Sequence, residues 1–301
     1  MDTQTLKYIG KDLYKTHILK EWKRYIVFMT RCHLHKGQIN DLLDFFKATP
    51  QRQAMLEHTT SFVEQTTRAF FYKDSTWDER IAIVKNHIEY MENIFNDEAI
   101  AKLYVNGERI RLWEDVYEEQ PVVMELWFHG GQRKEGCLSL VLSLGEDELY
   151  QIMFWLAPSP EDNELSLWIG ALQGTPNGSE IIKGLTKAFF GYRTKNLIFY
   201  GIRNVAAGLG CKHLYAVSNA GYYAMNHVRR DRKLKTSLDD FWQECEGKVC
   251  KDQRFFEMPI EEYRKSMEEL KPSKRAQHRR RFAKMDEITE SVTEVLNNYK
   301  K

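Results

Sequence analysis

Four short apolar runs, at residues 122–128, 137–143, 149–156 and 165–171, constrain this chain more than any other feature. Each is rich in Val, Leu, Trp and Phe and is the length of a β-strand. In the second run Leu138, Leu140 and Leu142 alternate with Cys137, Ser139, Val141 and Ser143, a period of two that gives a sheet one strongly apolar face. The links carry turn chemistry: His129-Gly130-Gly131-Gln132, and the Pro, Asn and Asp residues of 157–163. Consecutive strands with short links close as an antiparallel meander.

Helical patterns flank this meander. Ile39, Leu42, Leu43 and Phe46 share one helical face, and Ile81, Val84, Ile88, Met91 and Phe95 share another. Thr76-Trp77-Asp78-Glu79 fits a capping box, the Thr76 hydroxyl and the Glu79 carboxylate each covering a free amide. Beyond the meander, residues 179–190 and 194–209 read as helices, with Gly210 where a helix end needs a left-handed residue. Residues 213–218 read as a strand, 219–228 as helix and 254–258 as a last strand, and from Pro259 onward the chain reads as helical and charged. The expected fold class is α+β: an N-terminal helical subdomain followed by a mixed, mostly antiparallel sheet flanked by helices. The expected division is a helical subdomain over 1–102, a mixed α/β core over 103–260 and a basic helical segment over 261–301.

Composition narrows the function classes. Apolar residues make up 43% of the 301, enough for a packed core, and 44 basic against 43 acidic residues leave a net charge of +1 that selects no partner globally. Five cysteines without a C-x-x-C pair, and no His/Cys/Asp/Glu set at ligand spacing, predict free thiols in a reducing compartment and no metal. The first residues carry scattered charges, and no eighteen apolar residues run together, so a cytoplasmic location without a signal peptide or membrane span is expected.

The most informative candidate site is Gln173-Gly174-Thr175-Pro176-Asn177-Gly178-Ser179, a strand feeding a glycine-bearing turn into a helix N-terminus. Free amides and the helix dipole there suit a phosphate, with Gly174, Gly178 and Ser179 as its cradle. The same pattern also reads as an ordinary turn in which Gly and Asn adopt positive φ. Gln173 ends an apolar strand, where its amide either orients a substrate carbonyl or bridges strands. Lys187, Arg193, Lys195 and Arg203 are cations on successive helical segments that would bind a phosphorylated or carboxylated ligand if they converged, and are otherwise solvated helix faces. Asn219, Tyr222, Tyr223, His227 and Arg230 follow the last central strand, at the carboxyl end where α/β sheets place ligands, with Tyr223 and His227 able to handle a proton. Two basic segments stand out, Arg229 to Lys235 and Lys271 to Lys284, the latter including Arg279 and Arg280 and free of acidic residues. Such density suits an anionic membrane surface or RNA, although no RNA-binding module or DNA motif accompanies it.

Several stretches together carry a family resemblance: Trp168-Ile169-Gly170-Ala171-Leu172-Gln173-Gly174, Gly191-Tyr192-Arg193-Thr194-Lys195-Asn196-Leu197, Gly210-Cys211-Lys212-His213-Leu214-Tyr215-Ala216-Val217-Ser218-Asn219, Asp240-Phe241-Trp242-Gln243-Glu244 and Lys274-Arg275-Ala276-Gln277-His278-Arg279-Arg280-Arg281-Phe282. In order and spacing they resemble the VirK/YbjX family of bacterial proteins, a domain of unknown function, with Asp78-Glu79-Arg80 and His87 extending the likeness into the N-terminal half. Thr194 stands where that family's pattern has a proline, and His227 lies further behind Asn219 than the family's histidine. The resemblance implies a link to virulence, envelope integrity and resistance to cationic antimicrobial peptides.

The order of elements in the C-terminal two thirds also resembles the acyl-CoA N-acyltransferase architecture, whose chain splays between neighbouring strands to admit a pantetheine arm. Two readings follow. One is a transferase that moves an acyl or aminoacyl group onto an amine of a peptide, lipid or envelope precursor, with acyl-CoA or aminoacyl-tRNA as donor. It requires an open slot between neighbouring strands, the Gly174 to Ser179 amides for a phosphate, and a polar residue within Asn219 to Arg230 for proton handling. Gln173, Asn219, Tyr223 and His227 are its catalytic candidates, and Arg203 and Arg230 are among its anion-binding ones. The other is a non-catalytic protein that docks, through Arg279 to Arg281, on an anionic face at the inner membrane or on RNA.

Overall fold

A computed structural model describes residues 3–128, 134–175, 179–226 and 236–301. Gly178, His227 and Arg230 therefore lie outside the described residues, as does the side chain of Ser179.

Seven helices come first: α1 (Thr3–Leu13), α2 (Leu19–Leu34), α3 (Lys36–Lys47), α4 (Pro50–His58), α5 (Ser61–Thr67), α6 (Trp77–Ile94) and α7 (Asp97–Tyr104). The faces read from periodicity are the buried ones: Ile39, Leu42, Leu43 and Phe46 on α3, and Ile81, Val84, Ile88 and Met91 on α6. The Thr76–Glu79 capping box starts α6 with both reciprocal hydrogen bonds in place.

Five strands follow in an antiparallel run, β1 (Arg109–Tyr117), β2 (Gln120–Trp127), β3 (Leu138–Leu144), β4 (Asp147–Pro158) and β5 (Leu165–Gly174). Two helices, α8 (Ser179–Ala188) and α9 (Thr194–Gly208), then cross over to β6 (His213–Val217), which lies parallel to β5. After a 3-10 turn at Tyr223–Asn226 come α10 (Leu238–Glu244), β7 (Lys248–Val249), β8 (Phe255–Met258) and α11 (Pro272–Tyr299). The sheet order is β1-β2-β3-β4-β5-β6-β8-β7, with β5–β6 the one parallel pair among the described strands. This is the expected mixed, mostly antiparallel sheet behind a helical N-terminal region.

Four local expectations need correction. The run at 137–143 is not a one-faced strand: every residue of β3 is buried, Ser139 and Ser143 included, because α9 packs on the sheet from one side and the N-terminal helices from the other. β1 precedes the four strands read from the sequence. Its Arg109, Arg111, Glu114 and Asp115 hide the strand pattern and suit an edge position, where charge discourages further pairing. Within residues 219–228, the described part is turn and 3-10 helix, shaped by bonds that the Gly221 N–H donates to Ser218 rather than by helical periodicity. Finally, helix resumes only at Pro272, after a non-helical stretch over 259–271. Gly210 has φ of +78°, as the helix-end reading requires.

Candidate functional site

The pairing of β5 with β6 runs only from Ser166–His213 to Ile169–Ala216, after which β5 continues to Gly174 without a β6 partner. The strands part at Gly170. On the other side of β5, Ile169 pairs with Phe154 and Ala171 with Met153, so Gly170 is the extra residue of a β-bulge. The glycine is required by a close approach: a Cβ here would stand 1.8 Å from the Glu135 carbonyl oxygen and 2.9 Å from the Trp155 ring. Where the strands part, the gap is not empty at Gly170. Glu135, in the segment leading into β3, enters it.

The Glu135 side chain is 4% exposed, and its Oε1 accepts hydrogen bonds from the Tyr222 hydroxyl and the Gln173 side-chain amide, each at 3.1 Å. The Tyr223 hydroxyl is a third donor to the carboxylate. Burial raises the Glu135 pKa to about 7, while Lys134 and the three donors pull against that rise. Tyr222 is pushed well above its ordinary range by burial and then by the charge on Glu135. Gln173 reaches the surface, so the cluster runs from a buried carboxylate to a side chain that meets solvent.

A strap over residues 70–75 holds this cluster in place. The Phe71 N–H donates to the Lys134 carbonyl at 2.8 Å, the Lys73 N–H donates to the Gly221 carbonyl at 2.7 Å, and Tyr72 bridges Tyr222. Phe71 and Asp74 have φ of +65° and +59°, a left-handed conformation unfavourable for a bulky side chain such as Phe71. The surrounding bonds, including the Ser75 hydroxyl to the Phe70 carbonyl and Arg80 to the Thr66 carbonyl, impose it.

Of the residues singled out from the sequence, Gln173 and Tyr223 meet at Glu135, joined by Tyr222. Asn219 does not: its Oδ1 accepts the Leu238 N–H at 2.7 Å and its amide reaches Ser237, tying β6 to the start of α10. Gly174 ends β5 opposite Tyr150, and the Thr175 N–H bonds to the Leu149 carbonyl. This part of the turn faces a groove of about 390 Å³ whose wall includes Glu146, Asp147 and Glu148, a setting for a cation rather than a phosphate. The helical cations do not share a partner among the described residues. Lys187 is exposed, Arg193 pairs with Glu244, and buried Arg203 bonds Glu262 at 3.2 Å and the Cys245 carbonyl at 3.0 Å. Arg279 and Arg280 are exposed on α11, whereas Arg281 is half-buried, donates to the Phe190 carbonyl at 2.8 Å and lies over the Tyr192 ring, so it is not part of a free basic face. Among the described residues no group of His, Cys, Asp and Glu could hold a metal ion, and no helix is long and apolar enough to cross a membrane.

Glu135 was missed in the sequence because it sits in a Gly-rich, charged link that reads as a surface turn. Two signals could have found it. The strand that follows is wholly apolar apart from two serines, so its leading residue enters the core. The glycine inside Trp168-Ile169-Gly170-Ala171 marks a place where another backbone comes close.

Comparison with known proteins places this architecture in a family. Residues 17–294 match the family described as "Protein of unknown function (DUF535)". An uncharacterized protein of Haemophilus influenzae is 22% identical over 269 residues, covering 87% of each chain. The uncharacterized protein YbjX of Escherichia coli is 29% identical over 195 residues, covering 62% of this chain and 57% of its own. No solved structure matches the chain. With nearly its whole length matched, and as the resemblance to VirK/YbjX proteins implied, the chain belongs to the DUF535 family.

Proposed function

We propose that the chain is a transferase that moves an acyl or aminoacyl group onto an amine, with Glu135 as the general base. The observation that carries this reading is a buried carboxylate, held by three donors and titrating near neutrality, at the point where β5 and β6 part. A base is most effective when its pKa lies near the working pH. An ammonium must lose a proton before its nitrogen can attack a carbonyl. Glu135 takes that proton and releases it to solvent, and the neutral nitrogen forms the new C–N bond. The bond from the carbonyl carbon to the donor's sulfur or ester oxygen breaks, and the second proton, shed by the nitrogen as the amide forms, passes to the leaving group. Gln173 and Tyr222 hold the carboxylate in place, and Tyr222 lies close enough to relay the proton.

The acidic groove beside Gln173 supports an amine as acceptor. Glu148 is paired with Arg109, but Glu146 and Asp147 pair with no cation among the described residues and would draw an ammonium group towards the cluster. The sheet order supports a transferase only as an analogy of fold.

The test is intact-mass spectrometry of cationic peptides incubated with the chain and acyl-CoA or aminoacyl-tRNA donors. Transfer by the unmodified chain and a loss of about a hundredfold or more in Glu135→Gln are expected. Equal transfer by the two would end this assignment. Exposed Arg279 and Arg280 favour a second reading, a non-catalytic anion-binding protein. That reading predicts no transfer by either form and salt-sensitive binding that Glu135→Gln leaves intact.

A further inference from the structure

On the same side of the sheet as the N-terminal helices, a cleft of about 770 Å³ lies between the start of α6, the ends of β4 and β5, and the β7–β8 turn. Its floor is a row of rings from three neighbouring strands. Trp155 pairs with Trp168 across β4–β5, and Trp168 pairs with Tyr215 across β5–β6. Their centroids are 6.2 Å and 4.2 Å apart, and Phe255 meets Trp168 edge-on at 5.0 Å. At Gly170, two residues beyond Trp168, there is no room for a side chain between Trp155 and the Glu135 backbone, so the cleft adjoins the carboxylate cluster.

The polar groups of the cleft divide into two sets. Glu79 caps α6, and Asp252 is paired with Arg254, which also donates to the Lys73 carbonyl. These are satisfied. The indole N–H of Trp168, in contrast, is buried without a partner, the half-buried Asn86 side-chain amide has none among the described residues, and Lys251 and Glu161 at the rim pair with no opposite charge there. A buried donor without an acceptor costs free energy that a ligand can restore. An acyl chain would fill the volume but leave Trp168 and Asn86 unmatched. A ring with hydrogen-bonding edges would match both.

We propose that this cleft binds an adenosine moiety, the part common to coenzyme A thioesters and the 3′ end of aminoacyl-tRNA. The assignment rests on the transferase reading for its biological donor, although the binding itself does not need turnover. The Asn86 amide offers one donor and one acceptor, the complement of adenine N7 and N6, whereas guanine presents two acceptors on that edge. The base lies against the aromatic floor, a contact that favours any flat π-system. The Trp168 N–H donates to a ring nitrogen or ribose oxygen, and Lys251 at the rim meets a phosphate.

The experiment titrates the intact chain with AMP, following tryptophan fluorescence and heat, with GMP and UMP as controls. Saturable binding of AMP alone is expected. Asn86→Ala and Trp168→Phe should each weaken it about tenfold, in variants whose melting temperature stays close to that of the parent. Coenzyme A and a cytidine-cytidine-adenosine trinucleotide then separate the two donor sources, and binding of either supports the site. Absence of saturable AMP binding, or unchanged affinity in both variants, overturns it. Glu135→Gln should bind AMP normally, so a failure of the base assignment and a failure of the cleft assignment give different results.

Discussion

His87 and Glu135 are both buried titratable groups packed against the same sheet, and they behave in opposite ways. His87, on α6 and 0% exposed, accepts the Leu156 N–H at Nδ1 and meets the Tyr104 hydroxyl at Nε2, 2.7 Å away. Among the described residues no charged neighbour acts on it, so burial drives its pKa down to about 3. Glu135 is almost as buried, but three donors and Lys134 favour its charged form, and the contest ends at about 7. Burial by itself therefore does not make a site. A group becomes useful near neutrality when the fold both withdraws it from water and supplies partners for its charge.

The strongest way to break this contrast is to close the gap that Glu135 occupies. Gly170→Ala places a methyl 1.8 Å from the Glu135 carbonyl, a contact that backbone must relieve. A loss of about 3 kcal/mol or more is expected, read as a fall in the denaturant midpoint. A variant as stable as the parent would mean that Glu135 does not enter the fork as described.

A second prediction sharpens the contrast through pH. The folded pKa of Glu135 lies above its ordinary value of 4.5, so the native state holds a proton that the unfolded state has released, and stability falls as pH rises from about 4.5 to about 7. His87 has a folded pKa below its ordinary 6.5, so its contribution is present above 6.5 and is lost as pH falls towards 3. The two slopes oppose each other between 4.5 and 6.5. Glu135→Gln, a mimic of the protonated form, should be more stable than the parent above pH 7 by on the order of 3 kcal/mol. The advantage should vanish by pH 4.5 and expose the His87 slope. Thermal melts across that range check it, and a constant difference at every pH would contradict the assignment.

The smallest effect concerns one donor. Removing the Tyr222 hydroxyl takes away a bond that favours the charged carboxylate. Tyr222→Phe should move the midpoint of the pH–rate profile upward by about half a unit to one unit, with little change in melting temperature. A downward move would show that the hydroxyl accepts rather than donates.

What the sequence made legible was whatever depends on near neighbours. The Thr76–Glu79 box, the α3 and α6 faces, the four strands and the turn at Gly210 all follow from spacing within a few residues. The site depends on distant ones. Glu135 meets Tyr222 across 87 positions and Gln173 across 38, and neither separation has a local signature. Asn219 shows the converse: a polar side chain after a strand suits chemistry and capping equally well, and only its bonds to Ser237 and Leu238 place it at the start of α10. β1 escaped notice because half its residues answer to the sheet edge rather than to the core.

That edge strand has a consequence for synthesis. α11 lies against β1, with the Ser291 hydroxyl on the Leu112 carbonyl, Lys284 on Asp115 and Trp113 on Glu287. The ribosome makes the strand long before the helix, and at about 5–20 residues per second the strand waits on the order of ten to forty seconds for its cover. During that interval Arg109, Arg111, Glu114 and Asp115 are what stand between nascent chains and edge-to-edge association. Charges that look ornamental in the finished molecule are guardians of an unfinished one.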